Sequence, residues 1–206
     1  SAMANFAGEL VQNRERCFAE LRRARRAYNR DLERNESEVL ADPTSAWSRQ
    51  DTQPEQLRAL IQVCRCDDLP SAEVVIYLAF RGTVNQDNLV TDLYAELVPW
   101  DIGDAVISAA RVHRGFQDAY RALRSGVLGR LDADLAKFNV AASRVLLRAT
   151  GHSLGGALAM LACLDLATCR GFEAECATWG SPRVGDASFA ALYARKVPRT
   201  ARFVNK

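Results

Sequence analysis

The sequence predicts an α/β fold with a largely parallel central sheet flanked by helices, and three observations carry that expectation. Short runs at Val74–Phe80, Val145–Ala149 and Glu173–Trp179 have the length and composition of buried strands. Helical patterns at Gly115–Phe138 and from Leu154 to about Thr168 stand between them, and such alternation is the mark of parallel strands joined by crossover helices. The run Val145–Ala149 also leads at once into Gly151-His152-Ser153-Leu154-Gly155 and an alanine-rich helix.

Composition narrows the class further. With 206 residues the chain fits one domain large enough to bury a substantial core. A net charge of +2 argues against nucleic acid as its principal partner. The longest apolar run, Leu154–Leu164, is too short to span a bilayer. The chain starts with no secretory pattern, and Ser1-Ala2-Met3 reads as a tag scar, so a removed leader and the compartment both stay open. Cys64 and Cys66 fall on a strand where their side chains point to opposite faces, and Cys163 sits in an apolar helix as a core residue. Disulfides involving Cys17, Cys169 or Cys176 are left unassigned. No His/Cys spacing resembles a zinc site, and no metal or cofactor is expected.

In chain order, residues 1–45 form a first unit and residues 46–206 the main domain. Glu9–Leu40 reads as one arginine-rich helix, with Val11, Cys17, Phe18, Leu21, Tyr28 and Leu32 near one stripe. Interspersed acids favour a solvated face, packed on or beside the domain, over attraction to anionic lipid. Asp42-Pro43 ends that helix. Leu57–Cys66 and Glu73–Phe80 read as two strands, the second central in the sheet and ending in Arg81-Gly82-Thr83. Val84–Val112 shows no clean strand, and Gly115–Phe138 reads as one or two helices. Glu173–Trp179 leads into Gly180-Ser181-Pro182-Arg183, Ala187–Arg195 is a short helix, and Ala201–Asn205 begins a further strand.

The pattern Gly-x-Ser-x-Gly between a buried strand and a helix is a nucleophile elbow. Ser153 sits on a sharp turn so that its oxygen projects above the sheet, and Gly151 and Gly155 flank it because a Cβ would collide where strand and helix pass. The N–H of Leu154 opens the helix and is free to donate to an anionic oxygen. His152 adjoins Ser153 and should point away from it, as a structural residue.

Five stretches in order resemble one family: Phe80-Arg81-Gly82-Thr83, Asn88-Leu89-Val90-Thr91-Asp92-Leu93, Val112-His113-Arg114-Gly115-Phe116, Gly151–Ala157 and Thr178–Gly185. They are similar to the class 3 lipases, the α/β-hydrolase family of fungal triacylglycerol lipases and of mono- and diacylglycerol lipases. The resemblance covers Val74 to the end of the chain. It implies that Ser153 is the nucleophile, that Thr83 and Leu154 form the oxyanion hole, and that Leu89, Val90 and Leu93 belong to a lid over the acyl groove. It implies a packing role for His113. Asp186 stands where relatives commonly carry asparagine and is not taken as the triad acid.

The implied acid and base are the departure from the family pattern. The family aspartate follows the strand matched by Arg202–Lys206, and the histidine comes tens of residues later, so neither falls within this chain. The expectation is therefore a hydrolase domain whose C-terminal part is missing, inactive alone, that requires the missing segment or self-associates. The implied substrate is an acylglycerol or other lipid ester at a lipid–water interface. The alternatives are a related esterase of phospholipase A1 or feruloyl esterase type, and a catalytically inactive lipase-like module that binds membranes.

Overall fold

The computed structural model describes residues 36–40, 44, 57–66, 69–81, 96–102 and 105–204. Its strands are β1 (Glu36–Leu40), β2 (Arg58–Arg65), β3 (Val74–Arg81), β4 (Leu97–Ile102), β5 (Ala105–His113), β6 (Val145–His152), β7 (Glu173–Trp179) and β8 (Arg199–Phe203). Its helices are α1 (Arg114–Leu135), α2 (Leu154–Cys169) and α3 (Ala187–Lys196). The main sheet has the order β1-β2-β3-β6-β7-β8, and β4 pairs with β5 in a separate ribbon. From β3 to β8 the strands are parallel, whereas β1 and β2 add antiparallel at one side. The largely parallel sheet expected from the sequence is present.

The two faces of the sheet are built differently. Strand side chains alternate, and one set (Ile76, Leu78, Phe80, Leu147, Ala149, Cys176) joins α1 and α2 in a single apolar core. Residues such as Tyr120, Leu123, Val127, Leu158, Leu161 and Leu164 are fully buried there, and each large side chain contributes about 1.5–3 kcal/mol. A polar knot fixes the two helices to each other. The Asp165 carboxylate, 2% exposed, accepts from Tyr120 Oη at 2.8 Å and from Arg124 Nε at 2.8 Å and Nη2 at 3.2 Å. Burial, then the neighbouring Asp165 charge, pushes the Tyr120 hydroxyl well above its usual value, so it stays a donor.

The opposite face carries a charged strip across four strands. Glu175 on β7 accepts from Arg148 on β6 at 2.9 Å and from Arg199 on β8 at 2.8 Å, and Arg148 reaches Tyr77 Oη on β3 at 3.2 Å. Small apolar groups lie to either side of this strip: Ala72, Val75 and Leu146 toward one end, Ala177 and Ala201 toward the other.

Two expectations need correction. The last five residues of the helix expected over Glu9–Leu40 are strand β1, which pairs in the sheet although the expected boundary at residue 45 put it in the other unit; the rest of that expected helix lies outside the described residues. Val39 faces the core against Gly126 of α1, where an added Cβ would lie 2.6 Å from Val39 Cγ1, and Glu38 pairs with the buried Arg58 guanidinium at 3.2 Å. Strand pairing has overridden a helical spacing that happened to continue. The second correction is the β4–β5 hairpin inside Val84–Val112. Val98 and Trp100 on one strand and Ala110 and Val112 on the other are buried in alternation, but Pro99 and the register shift beside it break the pattern. The stretch expected to hold one or two helices, Gly115–Phe138, holds a single helix that ends at Leu135.

Candidate active site

β6, β7 and β8 run parallel and end at one edge of the sheet, the edge where open α/β sheets place their ligands. Ser153 is the single residue between β6 and α2, with φ 53° and ψ −125°. A side-chain-bearing residue at such a φ costs about 1–3 kcal/mol and persists only where its surroundings hold it. Here the Ser153 N–H donates to the Trp179 carbonyl at 3.0 Å, and its own carbonyl accepts from the N–H of Gly156 at 2.9 Å and Ala157 at 3.3 Å. The serine side chain is half-buried and forms no capping bond. The first N–H of α2, that of Leu154, therefore receives no side-chain cap and can donate to an anion.

Two glycines give the turn its clearance. A Cβ on Gly151 would strike the Gly155 carbonyl and lie 2.7 Å from the Gly156 nitrogen. A Cβ on Gly156 would lie 2.8 Å from that of Ser181. The close approach expected at Gly151 and Gly155 thus involves Gly155 as the carbonyl being met, while Gly156 makes room for the loop after β7.

That loop is fastened on both sides. The Ser181 carbonyl accepts from Arg202 Nε and Nη2 on β8. Farther along, His113 N–H donates to Val184 O at 3.0 Å, Asp186 N–H to Arg111 O at 2.9 Å, and Arg111 N–H to Asp186 Oδ1 at 3.2 Å. Asp186 Oδ1 also accepts from Phe189 N–H at 2.7 Å, capping α3. Asp186 is a helix cap that ties three elements together.

His113 precedes α1 and packs edge-on to Phe116 with ring centroids 5.6 Å apart. His152 is exposed beside Gly180, whose Cβ would lie 3.4 Å from His152 Nε2. Cys163 and Tyr193 lie buried below the junctions. Burial, with Cys176 adding to it, pushes both groups well above their usual values, so both remain protonated packing residues. The described cysteines are free thiols. Thr83, Leu89, Val90 and Leu93 lie outside the described residues. Among the described residues no helix is long and apolar enough to cross a membrane.

The profile of the family described as Lipase (class 3) matches residues 77–206, more than half of the chain. The chain belongs to the class 3 lipase family. It is similar to the lipase of Rhizomucor miehei, 36% identical over 128 residues that make up 58% of this chain and 32% of that protein. It is also similar to secreted mono- and diacylglycerol lipase 2 of Gibberella zeae, 32% identical over 138 residues, 60% of this chain and 33% of that one. A solved triacylglycerol lipase, described as having a serine protease triad for its catalytic centre, superposes with a TM-score of 0.59 at 26% identity over 84% of this chain and 58% of its own. This class 3 lipase chain spans about a third of the length of the curated relatives it matches.

Two parts of this candidate site were not expected from the sequence. The Asp186 cap carries a signal, an acid just before the helical pattern that begins at Ala187. The Arg202 clasp on the Ser181 carbonyl carries none, because it joins residues 21 apart on different strands.

Proposed function

We propose that this chain is the nucleophile-bearing part of a serine ester hydrolase acting on acylglycerols at a lipid–water interface. The observation that carries the reading is Ser153 at φ 53° between a buried parallel strand and an uncapped helix. A strained serine there gains nothing for stability, whereas a half-buried hydroxyl with no capping bond, beside the first N–H donors of a helix, suits acyl transfer. Membership of the lipase family supports the substrate class.

In this mechanism Ser153 Oγ attacks the ester carbonyl while a base removes its proton. The tetrahedral oxyanion is held by the N–H of Leu154 and by the N–H and hydroxyl of Thr83, each donor lowering the barrier by about 3–4 kcal/mol. The glycerol oxygen leaves with the proton, and water then cleaves the acyl-enzyme. Leu89, Val90 and Leu93 form the apolar face of a lid that covers the acyl groove in water and turns toward lipid at an interface. The chain has two histidines, and neither His113, packed on Phe116, nor His152, beside Gly180, is assigned as the base. Acid and base are assigned to polypeptide outside residues 1–206. β8, which pairs only with β7 among the described residues, offers an edge on which such polypeptide can pair.

Ester hydrolysis tests the reading. With acid and base in place, Ser153→Ala should cut turnover of a short-chain nitrophenyl ester by about 10⁴-fold or more. Retention of more than a few per cent would remove Ser153 from the mechanism. Residues 1–206 alone should turn over negligibly, and normal turnover would put a base inside the chain. Leu89→Ser with Leu93→Ser should lower activity on emulsified triacylglycerol more than on a soluble ester; equal losses would count against the lid.

A further inference from the structure

Between α3 and the β8 end of the sheet lies a groove of about 450 Å³, within the usual range for small-molecule sites. Its walls are mainly apolar: Met160 from α2, Pro182 and Val184 from the loop after β7, and Phe189, Ala190 and Tyr193 from α3. Its polar groups are few, and two of them are arginines. Arg202 is held by the neutral Ser181 carbonyl, which leaves three of its five N–H donors uncommitted. Neither Arg202 nor Arg183 is ion-paired with any described carboxylate. The one acid among the described lining residues, Asp186, accepts at Oδ1 from the N–H groups of Phe189 and Arg111 and makes no ion pair with either arginine. The Tyr193 hydroxyl turns to Thr200 Oγ1 at 3.1 Å and Thr200 to the Val197 carbonyl, so the groove floor is satisfied internally.

An apolar slot with two guanidinium groups that pair with no described carboxylate, against a single acid, suits a hydrocarbon tail with a single anionic head. We infer that this groove binds a long-chain fatty-acid carboxylate, its tail along Met160, Phe189 and Ala190 and its head between Arg183 and Arg202. The inference takes only the origin of the ligand from the proposed hydrolysis, whose product is such an acid; the recognition itself comes from the groove.

The test is equilibrium binding of dodecanoate, below its micellar concentration, to residues 1–206 carrying Ser153→Ala. Calorimetry then reads binding with no acyl transfer, so a failure of the hydrolase reading leaves the result intact. Dodecanoate should bind one to one and about tenfold or more tighter than dodecanol. Each two-carbon shortening of the acid should weaken it about tenfold. Arg183→Gln, whose side chain bonds to no described residue, should weaken the acid about tenfold and leave the alcohol within twofold. Ala190→Trp, at an exposed position on α3, should weaken acid and alcohol alike by filling the slot. Circular dichroism checks that Ala190→Trp is folded, and if it is not, Arg183→Gln decides alone. Equal affinity for acid and alcohol, indifference to Arg183→Gln, or no saturable binding because another stretch of polypeptide covers the groove would each overturn the inference.

Discussion

Two helices begin at the same edge of the sheet and begin in opposite ways. α3 starts after a seven-residue connection, with Asp186 in extended conformation at φ −77° and its carboxylate on the Phe189 N–H. α2 starts one residue after β6, with Ser153 at φ 53° and no side-chain cap. The first junction satisfies its helix and is tied to β5 and α3. The second leaves its helix start open and holds a serine where glycine would be more comfortable. The comparison separates a junction that satisfies its own helix from the one proposed to carry the chemistry.

The largest break of that contrast should come at Gly151. Gly151→Ala sets a Cβ into the Gly155 carbonyl, backbone that cannot move without shifting α2, and should cost about 3–5 kcal/mol in urea unfolding. A loss under 1 kcal/mol would mean the elbow is looser than it looks. Gly156→Ala should cost about 1–3 kcal/mol, because the Ser181 Cβ lies 2.8 Å from the new atom. Most of that loss should return in the double variant with Ser181→Gly. Simple additivity would show that the clash is not with Ser181.

At the other junction the effect should be smaller and ordinary in kind. Asp186→Ala should lower stability by about 1–2 kcal/mol, as loss of an N-cap does, and Asp186→Ser should recover most of it. Reaction of Ser153 with an ester should be little changed, and a large loss of acylation would mean that the cap also sets the elbow. The smallest effect carries the opposite sign. Ser153→Gly relieves the positive φ and should stabilise the fold by about 1 kcal/mol while ending any acyl transfer. A destabilised Ser153→Gly protein would show that the serine side chain contributes packing there rather than strain.

Local chemistry determined much of this protein. The runs at Val74–Phe80, Val145–Ala149 and Glu173–Trp179 became β3, β6 and β7 because a short, continuous apolar run has few homes except the middle of a covered sheet. The elbow was legible because glycine, serine and glycine must stand at fixed offsets for a strand to turn directly into a helix. The tertiary structure decided what depends on residues distant in the chain. Glu36–Leu40 is a strand because β2 pairs with it and Gly126 makes room for Val39, although its spacing continues a helix. Val98 pairs with Val112 but Trp100 with Ile107, across a bulge that hides the alternation of the two strands. The Arg202 clasp, the Asp165 knot and the groove beside α3 exist only where strands and helices meet, since side-chain partners are chosen by proximity in space and the sequence records only proximity along the chain.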